Sequence, residues 1–520
     1  MTRGRVATDS RWRRSIVPPV AALLAAFCAM PAAARTDSRS EKQIEAQLLE
    51  HIRVLASDDY GGREPGTDGE AKTLRYIGRQ LFEMGLVSGT NQPANPWYAP
   101  VKLVAREPAG SVARFSRRGR VVPFDQDQAL LLTSGRRALV QGAPLYFVGR
   151  GNIVPPRAEL AGRVALLLDD QGGLGAKEAP YGPDASLRQN ALLAGGAAAV
   201  VTVLDGQRTL AGVAERRRRQ GYALASEALG GDMEGFLSPE GLEQALAGVP
   251  DNLASLRREA DRPDFAPHLL DVSASFEATT RETSIRTHNL IGRIPGRKPG
   301  SGAVLLLAHW DHFGQCASPP AEHLICNGAV DNASGVAALL EVSRRLMKVP
   351  GGMERDVIVL FTTGEEIGLL GAEAFAENPP LPLKNIVAAF NIDSVAIAPA
   401  GTPVGIVGRG MTVLDTGIAT VAREQKRKLS MSDEPNRYIR RQDGWALMSH
   451  DLPAVMVTSA YGDLARLEKY FDTDYHRPQD VVKPGLELGG AAEDVAFHVA
   501  LVQYFADTKR FPATVVAGTR

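Results

Sequence analysis

Only three cysteines occur in 520 residues, and tryptophan appears four times. So few cysteines exclude a small disulfide-framework domain, and a chain of this length can build hydrophobic cores without one. Charge of one sign is not in excess: 59 Lys and Arg face 59 Asp and Glu, so the formal net charge is zero. That balance offers no electrostatic reason for a nucleic-acid partner or an anionic membrane surface. The run Arg216 to Arg219 is a local exception, read first as a solvated face or loop. Two catalytic signatures are also absent. None of the nine histidines is followed by glutamate, which excludes a helical His-Glu-x-x-His zinc site, and no Gly-x-Ser-x-Gly nucleophile elbow occurs. Internal repeats and long low-complexity segments are missing too.

An apolar run marks the N-terminus. Arg11, Arg13 and Arg14 precede an apolar run from Ile16 to Met30, and Ala32-Ala33-Ala34 gives a small-x-small cleavage pattern before Arg35. This is the pattern of an export signal over 1–34, too short and too Pro-interrupted for a spanning helix. Phe27 before Cys28 is bulky where a lipoprotein signal has a small residue, so no stable membrane anchor is expected. A periplasmic or secreted location follows. The mature chain then keeps Cys316 and Cys326, which in an oxidising compartment are expected to form a disulfide. Two free thiols are the alternative, because spacing does not show that the Cα atoms approach.

A chain this long exceeds what one core usually organises, so two domains or a large domain with an insertion are expected. Ile44, Leu48, Leu49, Ile52 and Leu55 recur at helical spacing, as do Leu74, Ile77, Leu81 and Met84, with the turn-rich link Gly61 to Thr67 between them. From about Val121 to Asp271 short β-like runs appear, with more helix formers from Ser226 to Glu259. After Asn289 strand and helix alternate, which predicts an α/β fold with a mostly parallel sheet flanked by helices. The strands expected there are Ala303 to Ala308, Val357 to Phe361, Ile386 to Phe390 and Leu452 to Val457. Polar residues sit just beyond their C-terminal ends, where open α/β sheets place active sites.

Those residues are His309, Asp311, Asp331, Glu365, Glu366 and Asp393, with Tyr475 and His476 nearer the C-terminus. Each has an ordinary reading. His309 could be a hydrogen-bonded structural group, Asp331-Asn332 a helix N-cap, and Glu365-Glu366 first-turn acids favoured by the helix dipole. Several carboxylates converging at one sheet edge would repel, however, unless cations neutralise them. Two histidines and three carboxylates are what a pair of zinc ions sharing one carboxylate requires, with a position left open for water. Glu365 would remain as a fourth carboxylate able to move a proton, and Asp311 is within reach of the second imidazole nitrogen of His309.

The stretches Ala308-His309-Trp310-Asp311-His312, Asp331-Asn332-Ala333-Ser334-Gly335, Gly364 to Gly371, Asn391-Ile392-Asp393 and Tyr475 to Asp480 occur in an order that resembles one family. It is the di-zinc exopeptidase family of bacterial leucyl aminopeptidases, aminopeptidase Y and glutamate carboxypeptidase. The resemblance implies a zinc-exopeptidase fold over 41–120 and 275–510, with 121–274 similar to an inserted β-rich protease-associated domain. It implies that His309 and Asp393 bind one zinc and Glu366 and His476 the other, with Asp331 bridging. It implies further that Glu365 is the general base, that Asp311 orients a histidine, and that Tyr475 polarises the scissile carbonyl. One departure stands out: where close relatives have Arg-Ser-Asp-His, this chain has Arg441-Gln442-Asp443-Gly444, which bears on substrate selection.

The expected function is an exported aminopeptidase with two Zn2+ per chain, acting on peptides through a zinc-bridging hydroxide. A carboxypeptidase or dipeptidase on the same site is the alternative that Arg440 and Arg441 keep open. A non-catalytic binding or receptor protein on the same fold is the second.

Overall fold

The run Ala303–His309 is apolar up to its last residue, and every position in it is buried. A strand covered on both faces belongs in the interior of a parallel sheet between helices. The computed structural model describes residues 38–513, except 91–96, 151–152, 169–182, 206–208, 220 and 228–230, and gives this strand two parallel neighbours. Leu305 faces Ile358 of Asp356–Thr362 on one side and Ala389 of Ile386–Asn391 on the other. Ala454–Thr458 adds parallel to Ile386–Asn391, and Gly405–Val407 closes that edge antiparallel. On the other side the end of His268–Ile294 runs antiparallel to Asp356–Thr362, with Leu290 opposite Phe361. The protein thus has the mixed α/β architecture read from its patterning, a mostly parallel sheet flanked by helices. The short Gly405–Val407 edge strand was not anticipated.

Helices seal this sheet through their apolar stripes. Ile44, Leu48, Ile52 and Leu55 of the helix Ser38–Leu55 are each at most 1% exposed, and burying such side chains contributes roughly 1.5–3 kcal/mol apiece. That helix packs against Gly335–Leu346 and Gly489–Ala506. The second N-terminal helix, Asp68–Met84, starts where the Thr67 side chain accepts from Gly69 N and stops at Gly85 in the left-handed conformation, φ 85°. Between the two helices the link turns sharply at Gly61 and Gly62. A Cβ on Gly62 would lie 2.5 Å from Cys326 O and 2.6 Å from Gly314 O, so only glycine allows this close approach to the loop after Ala303–His309.

Two long strands carry the chain away from this sheet. Tyr98–Arg117 and His268–Ile294 pair antiparallel over most of their length, from Leu290 opposite Tyr98 to Ser273 opposite Ser116. The far part of His268–Ile294 also pairs with Arg137–Phe147, followed by the parallel strands Val164–Leu168, Ala199–Val203 and Met233–Leu237. A second hydrophobic core forms there, including Phe115, Leu145, Val164, Val201 and Phe276. The segment between the long strands is therefore mixed, with helices such as Pro239–Ala245 and Leu253–Ala260 among its strands, where a β-rich composition was expected. The backbone of Arg216 to Arg219 ends the helix Leu210–Arg219. The export signal expected over 1–34 lies outside the described residues. Among the described residues no helix is long and apolar enough to cross a membrane.

Candidate metal centre and catalytic cleft

Parallel pairing brings the ends of adjacent strands to one edge, and the ionisable residues follow. His309 pairs with Thr362, so Glu365 and Glu366 come three and four residues beyond the neighbouring strand end; Asp393 comes two residues past Asn391. Asp331 lies in the distorted turn Ala329–Ser334 that leads into the helix Gly335–Leu346. Its backbone is fixed from below by Asp480, whose Oδ1 accepts from Val330 N at 2.9 Å and whose Oδ2 accepts from Asp331 N at 3.0 Å. Asn332 performs the capping duty that the pair Asp331-Asn332 suggested. Its Oδ1 accepts from Gly335 N at 2.9 Å and Ser394 N at 3.1 Å, which frees the Asp331 carboxylate for other work.

The two oxygens of Asp331 address different histidines. Oδ1 is 3.2 Å from His309 Nε2, and Oδ2 is 3.2 Å from His476 Nε2. Asp393 Oδ1 lies 3.5 Å from His309 Nε2, and Glu366 Oε2 lies 2.9 Å from His476 Nε2. Despite these approaches neither Nε2 makes a directed hydrogen bond. His309 with Asp331 and Asp393 can offer ligand atoms all within 4.8 Å of one another, as can His312 with Asp331 and Glu366. Neutral imidazole nitrogens and carboxylate oxygens at this spacing suit zinc. The five residues expected to hold metal converge around Asp331, His476 by its approaches to Asp331 and Glu366.

Burial sets the proton affinities here. The Glu365 side chain is 10% exposed, and burial pushes its carboxyl well above the usual range, with Glu366 and Asp393 adding to the shift and His309 opposing it. Burial lowers the proton affinity of His476, but Glu366 and Asp331 outweigh it and raise the imidazole to about 9. Asp311 is pushed up to about 7, chiefly by burial. His309 Nδ1 is 3.2 Å from the Asp311 backbone carbonyl and 3.8 Å from its carboxylate, so the peptide oxygen is the nearer partner of that nitrogen. The Asp311 carboxylate turns to Glu365, accepting from its backbone N at 3.2 Å.

Tyr475 stacks on His476 with ring centroids 3.6 Å apart. The Arg441 guanidinium lies 5.3 Å from the centre of that ring and 5.0 Å from Phe471. At the family's histidine position, a Cβ on Gly444 would stand 2.6 Å from Gln442 Oε1. That oxygen accepts from Gly444 N at 2.8 Å and Asn391 Nδ2 at 3.0 Å, so any side chain at 444 would have to displace Gln442. Asp443 is fully buried and accepts from the Thr362 hydroxyl. Cys316 and Cys326 are joined in a disulfide, with Cα atoms 5.6 Å apart.

A cavity of about 380 Å³ opens beside His312 and His476, lined among others by Glu64, Tyr222, Phe313 and Ile367. Tyr222 comes from the segment between the two long strands, so that segment supplies part of the cleft wall. Two supporting residues escaped sequence reasoning. Arg63 and Asp480 act mainly on backbone groups, and only the motif neighbourhood of Asp480 hinted at it.

Comparison with known proteins agrees with this geometry. Over 113 residues the chain is 33% identical to a vacuolar membrane protease of Yarrowia lipolytica (strain CLIB 122 / E 150), a match covering 21% of this chain and 10% of that protein. Over 165 residues it is 24% identical to the alkaline phosphatase isozyme conversion protein of Escherichia coli (strain K12), covering 29% of this chain and 47% of that protein. The chain thus matches less than half the length of either relative. Among solved structures, the aminopeptidase from Aneurinibacillus sp. strain AM-1 has the same fold, at 19% identity and a TM-score of 0.53, covering 90% of this chain and 95% of that one. Residues 289–498 match the model of Peptidase family M28.

Proposed function

We propose that this protein is an exported aminopeptidase that holds two zinc ions and releases N-terminal residues from peptides. Residues 41–120 and 275–510 form the peptidase unit of this reading, and 121–274 is its insertion. One observation carries it: the two oxygens of Asp331 lie 3.2 Å from Nε2 of two different histidines, and both of these nitrogens are buried without a directed hydrogen bond. His309 and Asp393 would hold one zinc and Glu366 and His476 the other, with Asp331 placed to serve both. When bound, zinc supplies Lewis acidity toward water and the scissile carbonyl.

The chain's own residues do the rest. Glu365 takes a proton from the attacking water and passes it to the leaving amine, a task suited to a carboxyl whose proton affinity is raised by burial. Tyr475, fixed against His476, donates toward the scissile carbonyl oxygen. The cavity beside the centre has Glu64, Glu107 and Asp311 in its lining and neither lysine nor arginine, which favours a substrate with a free amine. Arg441 beside Tyr475 supports the second reading, a carboxypeptidase or dipeptidase that would bind a free carboxylate.

Aminoacyl-nitroanilides, N-blocked peptides and peptides with free C-termini, each tested with zinc added and chelated, decide between them. Chelator-sensitive cleavage confined to substrates with a free amine is expected. Cleavage of N-blocked peptides from the other end would move the assignment to carboxypeptidase, and inactivity with full zinc would leave a binding role. Glu365→Ala is expected to keep its metal while turnover falls about a hundredfold or more. Metal analysis beside single-turnover kinetics checks this, and retained turnover rejects the general-base role.

A further inference from the structure

His312 ends the motif that begins at His309, yet neither the ligand set nor the proton transfer uses it. Its side chain is fully buried. Nδ1 meets Oε1 of Glu366 in a short hydrogen bond, while the other oxygen of that carboxylate, Oε2, lies 2.9 Å from His476 Nε2. Glu366 is thus clasped between two imidazoles, one on each oxygen. A carboxylate only accepts, so the proton of this bond belongs to Nδ1 of His312. That nitrogen then has no lone pair to give a metal, and Oε1 is already engaged.

The ring cannot easily swing away from this bond. The Phe313 ring packs 5.2 Å from the His312 ring and 4.5 Å from the His476 ring. Gly328 leaves so little room that a Cβ there would lie 2.8 Å from His312 Cδ2 and 2.8 Å from Arg63 Nη2. His312 backbone N also faces Arg63 O at 3.4 Å, tying the turn to the buried arginine.

The geometry points to His312 as a positioning residue: by holding Oε1 of Glu366 it presents Oε2 alone to the second metal and leaves His476 as that metal's nitrogen ligand. This rests on the two-zinc reading and adds a residue that governs the second site selectively. His309, Asp393 and the first site do not depend on the bond.

Stepwise removal of zinc by a competing chromophoric chelator, followed on the wild type and on His312→Ala, His312→Asn and His312→Gln, tests it. Asn places its amide N–H near the position of Nδ1; Gln places it near Nε2. In the wild type two zinc ions per chain should leave in separable steps. In His312→Ala the second-site affinity should fall roughly 10- to 100-fold, the usual effect of removing a partner of a metal ligand, with the first site unchanged. His312→Asn should recover most of that loss and His312→Gln should not, a contrast that stands even if the alanine variant fails to fold. Saturating zinc should restore kcat in His312→Ala. Unchanged second-site affinity in His312→Ala, or a Gln variant better than the Asn variant, would overturn the assignment. So would second-site zinc lost from Asn and Gln variants alike, which would make His312 a direct ligand. A wild type holding fewer than two zinc ions would instead bring down the two-zinc reading on which the assignment stands.

Discussion

Asp331 has two oxygens and each is directed at a different imidazole, which makes it the residue on which both halves of the centre depend. If the proposed two-zinc arrangement holds, Asp331→Ala should lose zinc together with activity, because it would remove a ligand from both ions at once. Metal analysis of the purified variant checks this, and two zinc ions retained would contradict the bridging assignment. A second prediction concerns His51, whose Nδ1 shares a 2.6 Å hydrogen bond with the Tyr76 hydroxyl. Burial, aided by Arg344, lowers this imidazole from 6.5 to about 4. The unfolded chain therefore binds the extra proton between those values, so stability from the neutral ring is present above pH 6.5 and lost as pH falls toward 4. From pH 7 to pH 5 the loss is about 2 kcal/mol. Urea unfolding at both pH values should show His51→Gln lacking that part of the decline.

At the scale of elements, Arg63 joins segments that are remote in sequence. Its Nε donates to Trp310 O at 2.9 Å, Nη1 to Leu55 O at 2.9 Å and Asn327 O at 2.5 Å, and Nη2 to Gly328 O at 3.0 Å. One guanidinium thus fastens the end of the first helix, the end of the His309 strand and the loop that carries Asp331. Burial lowers its proton affinity, but nearby Asp331, Asp480, Asp311 and Glu366 keep it near 10, so it stays charged at neutral pH. Lysine carries the charge without the planar fork, so Arg63→Lys should fail to substitute. A loss of about 3 kcal/mol or more is expected, since buried carbonyls are left without donors. Urea unfolding measures it, and a parallel fall in zinc content would show that the damage reaches the Asp331 loop.

For the whole molecule, the antiparallel ribbon of Tyr98–Arg117 and His268–Ile294 links two hydrophobic cores. The segment it carries returns to the cleft through Tyr222, which pairs with Ala105, while Leu224 packs in a small cluster with Leu103 and Leu370. Ser111 sits directly opposite Ala278. Replacing 112–277 with a two-residue Asn-Gly turn should therefore preserve the catalytic sheet. The shortened protein is expected to keep its zinc and lose the Tyr222 wall, raising KM for peptides about tenfold, the equivalent of roughly 1.4 kcal/mol of contact, with kcat changed less. Zinc content and steady-state kinetics test this; loss of zinc would show instead that the segment supports the centre itself.

The candidate ligands His309, Asp331, Glu366, Asp393 and His476 were legible in the sequence because metal chemistry admits few residue types and strand ends give them fixed places. The α/β class was legible for a similar reason: buried parallel strands such as Ala303–His309 are apolar along almost their whole length. Tertiary structure alone decided what each polar group meets. Asp311 turned its carboxylate to the backbone of Glu365 and left His309 to a peptide oxygen. Arg63 found its carbonyls as far as 268 positions away, and His312 found Glu366 across 54. Residue type and periodicity specify which groups need partners and which faces need covering; hydrogen bonds between groups so distant in sequence are chosen only once the sheet has set their positions.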